Sequence, residues 1–118
     1  MFEPSIDALQ REFFEELGVK PRIERLLWVT ETMFHLSSWG NVHEICFYYL
    51  INLPKDSEIY QKQSFVTTEV VGGKSKAITF QWFSIDQLEE LDFKPKFLKK
   101  RMRELPDYPE NLVVSELK

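Results

Sequence analysis

The chain has one cysteine among its 118 residues, which excludes a disulfide framework and any zinc site built from several thiolates. It has no uninterrupted apolar run near the ~20 residues a bilayer requires and no charged-then-apolar leader, so neither membrane spanning nor secretion is expected. A basic surplus is also missing: 15 Lys and Arg stand against 19 Asp and Glu, a formal net charge of −4. A protein that coats a nucleic-acid polymer would carry the opposite imbalance. No internal repeat or low-complexity segment is visible. What the chain does have is core material. Hydrophobic residues make up 43% and aromatics 14%, with ten Phe, four Tyr and three Trp, which excludes intrinsic disorder. A domain of this length can bury roughly 65% of its unfolded surface. The expectation is one soluble, cytoplasmic domain over residues 1–118.

The first clear element is a helix. Ile6, Leu9, Phe13 and Leu17 hold one apolar stripe at helical spacing. Ser5 is a fitting N-cap, Asp7 suits the first turn, and Gly18 followed by Pro21 stops the helix. Ile23 to Leu36 then reads as one long strand, closed by the turn-forming run Ser37 to Asn41. Val42 to Leu53 is apolar on both parities, the signature of a strand covered on both faces. Residues 54–64 read as a loop. Phe65 to Val71 and Ala77 to Phe83 form a hairpin around Gly72-Gly73. Ser84 and Gln87 have capping-box spacing and open a short helix to about Leu91. Pro95 opens a last helix with Leu98, Met102 and Leu105 on one side, and Leu112 to Val114 is a short edge strand. The sum is an α+β or α/β/α layered domain.

The informative residues lie at the end of the first helix. Glu12, Glu15 and Glu16 are spaced i, i+3, i+4, so they share one side of it. Like charges at that spacing repel, and in the last two turns the dipole is negative and cations are preferred. Arg11 reaches Glu15 at i+4, yet one guanidinium does not neutralise three carboxylates. A solvated acidic face is one explanation, because Glu is a good helix former. The other is a divalent-cation site, since Mg²⁺ takes hard carboxylate oxygens, waters and substrate phosphates.

The segment from Glu3 through Arg11, Glu12, Phe13, Phe14, Glu15, Glu16, Leu17 and Gly18 to Val19 resembles the Nudix box of the Nudix hydrolases. That pattern is Gly, five residues, Glu, seven residues, then Arg-Glu-U-x-Glu-Glu-x-Gly-U, with U a bulky aliphatic. Glu3, Arg11, Glu12, Glu15, Glu16 and Gly18 match by identity and Val19 by type, while Phe13 is aromatic where an aliphatic is usual. Six identities at average usage arise at a given start about once in 10⁷ trials. The run His43-Glu44-Ile45 with Phe47-Tyr48-Tyr49 looks like a strand common in one broad group of these enzymes. Phe80 with Trp82-Phe83-Ser84-Ile85-Asp86-Gln87-Leu88 looks like their strand-into-helix element. The likeness therefore extends to about Pro106.

The resemblance implies a mixed sheet with flanking helices in an α/β/α sandwich. It implies hydrolysis of a nucleoside diphosphate linked to a second group, giving a nucleoside monophosphate and the phosphorylated second group. It implies Mg²⁺, with Mn²⁺ as the substitute, held by Glu12, Glu15 and Glu16, with Glu12 alternatively the base for water. Arg11 would orient the carboxylates with Glu3 as its ionic partner. The competing expectation is a catalytically silent Nudix-like module that binds a nucleotide or a protein. The box glycine and the strands that ordinarily precede it would fall before Met1. The chain thus reads as the C-terminal three-quarters of the family fold, whose open sheet invites a homodimer.

Other residues carry weaker signals. Glu69 and Glu58 lie where a loop acid assists in this family, and Glu44 is a candidate for lining the site because it sits in a strand expected to be buried. Trp28, Phe34 and Trp39 are packing residues that could also stack a base. His35 and His43 lack the further donors zinc needs, and Cys46 reads as a core thiol. Lys94 to Arg103 is the one basic patch, read as a solvated helix face. The partner is expected to be a small nucleotide diphosphate derivative, with no membrane and no nucleic-acid polymer.

Overall fold

A computed structural model describes residues 2–117, with Val71 described by its backbone alone. Its order is helix α1 (Ser5–Leu17), strands β1 (Arg22–Leu36) and β2 (Gly40–Asn52), hairpin strands β3 (Ser64–Val71) and β4 (Lys74–Gln81), the single-turn helix α2 (Leu98–Arg101) and strand β5 (Glu110–Ser115). Two 3₁₀ segments, Glu58–Gln61 and Ile85–Glu90, lie before β3 and after β4. The architecture is mixed α+β. Among the described residues no helix is long and apolar enough to cross a membrane.

The chain divides into two compact units: residues up to Arg22 with Asn52–Glu104, and Ile23–Ile51 with the residues from Leu105 onward. In the second unit the sheet order is β2-β1-β5. β5 runs parallel to β1, with Trp28 opposite Glu110, Thr30 opposite Leu112 and Thr32 opposite Val114. A turn of three residues joins β1 to β2, too short for a crossover, so that pair runs antiparallel and the sheet is mixed. Trp28, only 2% exposed, donates its indole N–H to a Glu110 carboxylate oxygen at 3.1 Å and stands edge-on to Tyr48. Arg25 donates to the Pro106 carbonyl. These bonds fasten the chain end to β1.

β2 corrects one expectation. It is an edge strand, and Ile45 and Phe47 are 57% and 50% exposed. Its apolar residues on both parities therefore do not mean two covered faces. On the other face Val42, Cys46, Tyr48 and Leu50 are half-buried, while Glu44 between them is exposed.

In the first unit α1 packs on β3. The helix starts at Ser5, so Pro4 and not Ser5 holds the N-cap, and no side chain caps it. Gly18 closes α1 at φ 71°, its N–H bonding the Phe14 carbonyl at 2.8 Å. Gly72 and Gly73 both have positive φ, 59° and 78°, the requirement of a two-residue turn matching strand twist. Phe65 and Phe80 face each other across that hairpin, ring centroids 5.4 Å apart. The Ser84 N–H donates to the Gln87 side chain at 2.8 Å, as the capping-box spacing requires, but the segment it opens is 3₁₀ and not α-helical. The last helix is one turn and excludes Met102 and Leu105. Three consecutive basic residues, Lys99 to Arg101, supply no apolar stripe there, and an isolated turn does not propagate without one.

Candidate active site

The last three turns of α1 carry an ionic cluster built on Arg11. Its Nε bonds both Glu3 carboxylate oxygens at 3.1 Å and its Nη2 bonds Glu3 Oε1 at 3.0 Å. Its Nη1 bonds Glu15 at 3.3 and 3.4 Å, and Nη2 stands 3.7 Å from Glu12. A planar fork of five donors can serve several carboxylates at once; a lysine ammonium cannot do so in fixed geometry. The bond from Arg11 holds the Glu3 carboxyl below its usual range, against a smaller opposing effect of burial. The bonds to Glu3 and Glu15 hold the Arg11 proton more firmly than usual. Repulsion among the acids is thus partly relieved by one cation, while Glu12 and Glu15 keep 64% and 60% of their side-chain surface in solvent.

Glu16 follows Glu15 in the last turn of α1 and is exposed. It lines a cleft of about 540 Å³ where Gly18 ends the helix. Asp56, Glu58 and Lys62, from the loop and 3₁₀ turn before β3, line the same cleft. Ser57 fixes that turn, its hydroxyl accepting from the Ile59 N–H at 3.5 Å. The cleft therefore joins three carboxylates with a lysine. Asp56 and Lys62 carry no motif in the sequence; the α1–β3 packing brings them there.

The remaining candidates fall outside this arrangement. Trp28 and Glu44 belong to the other unit. Glu44 is exposed rather than buried, and accepts from the Cys46 thiol at 3.0 Å; burial, then Glu44, pushes that thiol up. Glu69 is exposed on β3 opposite Lys76. His43 pairs with Glu31 at 3.4 Å, and His35 shares a 3.0 Å bond with Asn41. Among the described residues no three His, Cys, Asp or Glu side chains already converge as a metal cage.

The family model of the NUDIX domain matches residues 1–105. The chain belongs to the Nudix family. No curated protein matches it. Nudix proteins are typically pyrophosphohydrolases that use a divalent metal and act on nucleotide-type substrates. The donor chemistry of this Nudix domain fits such a metal: Glu12, Glu15 and Glu16 offer hard, solvent-facing carboxylate oxygens from one helix, as Mg²⁺ prefers.

Proposed function

We propose that this Nudix domain hydrolyses a nucleoside diphosphate linked to a second group, with Glu12, Glu15 and Glu16 holding Mg²⁺ or Mn²⁺ and residues 1–118 acting as one domain. The observation that carries the reading is the ordered Arg11 cluster next to a cleft into which the same helix turn delivers Glu16.

A diphosphate is densely anionic, so carboxylates cannot approach it unaided. Glu12, Glu15 and Glu16 would hold a divalent cation, which when bound would supply the missing charge and lower the pKa of water. Arg11 keeps Glu12 and Glu15 in a fixed relation, and Glu3 anchors Arg11 from the other side. Lys62 adds a positive charge for phosphate oxygens in the cleft. Glu58 and Asp56, which line the cleft, are the groups we infer accept a proton from water there, with Glu12 as the alternative on the helix. Water oxygen bonds to one phosphorus, the bridging P–O bond breaks, and two monophosphates leave. The active molecule on this reading is a homodimer.

A second reading is a silent module that binds nucleotide or protein, favoured by the lack of a preformed three-acid cage among the described residues. Titration of Mg²⁺ against melting temperature separates them. The reading expects a rise in the wild type that Glu15→Gln, Glu16→Gln loses; no rise, or an equal rise in both, contradicts it.

A further inference from the structure

Beside the cleft the first unit holds a second, apolar pocket of about 190 Å³. Phe13, Leu17, Leu53, Ile59, Phe65 and Phe80 line it, with Gln81 and Trp82. Leu17, Ile59 and Phe65 also line the cleft, so the two are neighbours that share a wall. We propose that this pocket takes the nucleobase of the substrate whose phosphates lie in the cleft, an assignment that rests on the hydrolase reading above.

The chemistry of the lining selects the occupant. Among the described residues no charged side chain contributes to it, so they offer nothing there to a phosphate or a cation. A ribose would strand its hydroxyls against hydrocarbon, each an unpaired polar group that disfavours its entry. A flat ring loses little there and gains contact on its faces. The size agrees: an apolar cavity of about 150 Å³ accepts a benzene ring.

The walls are already set. Trp82 donates its indole N–H to the Ile59 carbonyl at 2.8 Å and its backbone N–H to the Gln63 carbonyl at 3.0 Å. Gln63 returns a 2.8 Å bond from its amide to the Trp82 carbonyl. Tyr60 stacks on Trp82, centroids 5.3 Å apart and planes 16° from parallel. With its N–H engaged, the indole has only a ring surface to offer a ligand. A site whose walls are fixed before binding loses less entropy when filled.

The test uses uncharged probes and no metal, so it is independent of turnover. Adenosine, uridine and ribose are titrated into methyl-labelled full-length chain and followed by NMR. The nucleosides should shift the methyl signals of Leu17, Leu53 and Ile59, and ribose should not. Leu53→Trp, which fills the pocket, should weaken nucleoside binding at least tenfold. If that variant does not fold, the wild-type methyl map decides. Silent methyl signals, equal shifts with ribose, or unchanged affinity in Leu53→Trp would overturn the pocket. Nucleoside binding without hydrolysis of any diphosphate would support the pocket and sink the hydrolase reading alone. Hydrolysis with silent methyl signals would do the reverse.

Discussion

Gly18→Ala is the sharpest single perturbation of the helix end that carries the acids. Gly18 sits at φ 71°, and a Cβ built there meets nothing within 4 Å. A clash is therefore excluded, and the whole cost is backbone conformation. An L residue in the left-handed region pays about 1–2 kcal/mol, and alanine also loses part of glycine's unfolded-state freedom, worth about 0.4–1 kcal/mol in its favour. The net expectation is destabilisation of about 1 kcal/mol, or about 3–6 °C in melting temperature for a chain of this size. Asn tolerates this region, so Gly18→Asn should lose about half as much. Calorimetry reads both variants, and hydrogen exchange at the residue 18 N–H should quicken in the alanine variant as its bond to the Phe14 carbonyl weakens. An alanine variant melting within about 1 °C of wild type would refute the reasoning.

Three further outcomes follow from the same geometry. Trp28→Phe keeps the ring in its buried place but removes the donor to Glu110; it should cost about 1.5–3 kcal/mol in chemical denaturation, and less in a Glu110→Gln background. Arg11→Lys cannot fork over Glu3 and Glu15, so kcat/KM should fall while the melting temperature stays near wild type; equal activity would remove the positioning role. Burial and Glu44 hold the Cys46 thiol protonated above its ordinary value of 9.0. Its contribution to stability is thus full below that value and fades as pH rises through the folded-state pKa. Iodoacetamide should label the native chain more slowly than the unfolded chain at pH 8, and Glu44→Gln should speed it; matching native and unfolded rates would contradict this.

Local chemistry was legible in the sequence wherever a short-range rule decides structure. The Gly18 stop and the paired glycines of the hairpin are of this kind, since each depends on neighbours within a few residues, whereas the pairing of Arg11 with Glu3, eight positions apart, was expected from the resemblance to the Nudix box. The 3.6-residue stripe found α1 but misplaced its cap by one residue, because Pro4 and Ser5 both suit a helix start. Burial was not legible in the same way. The run from Val42 to Leu53 is apolar enough for a central strand, yet strand order is set by long-range pairing with β1 and β5, which leaves β2 at an edge. The cleft and the aromatic pocket join α1 to residues some 40 to 65 positions later. Asp56, Lys62 and Trp82 enter them through packing alone, so no spacing rule pointed to that company.

The central claim is cleavage between two phosphorus atoms by this chain's own carboxylates. The direct measurement is nucleoside monophosphate release from a panel of nucleoside diphosphate derivatives with Mg²⁺, using Glu15→Gln as the blank. The account predicts turnover on at least one member, lost in the variant. Release that persists undiminished in Glu15→Gln, or no release from any member, would contradict it.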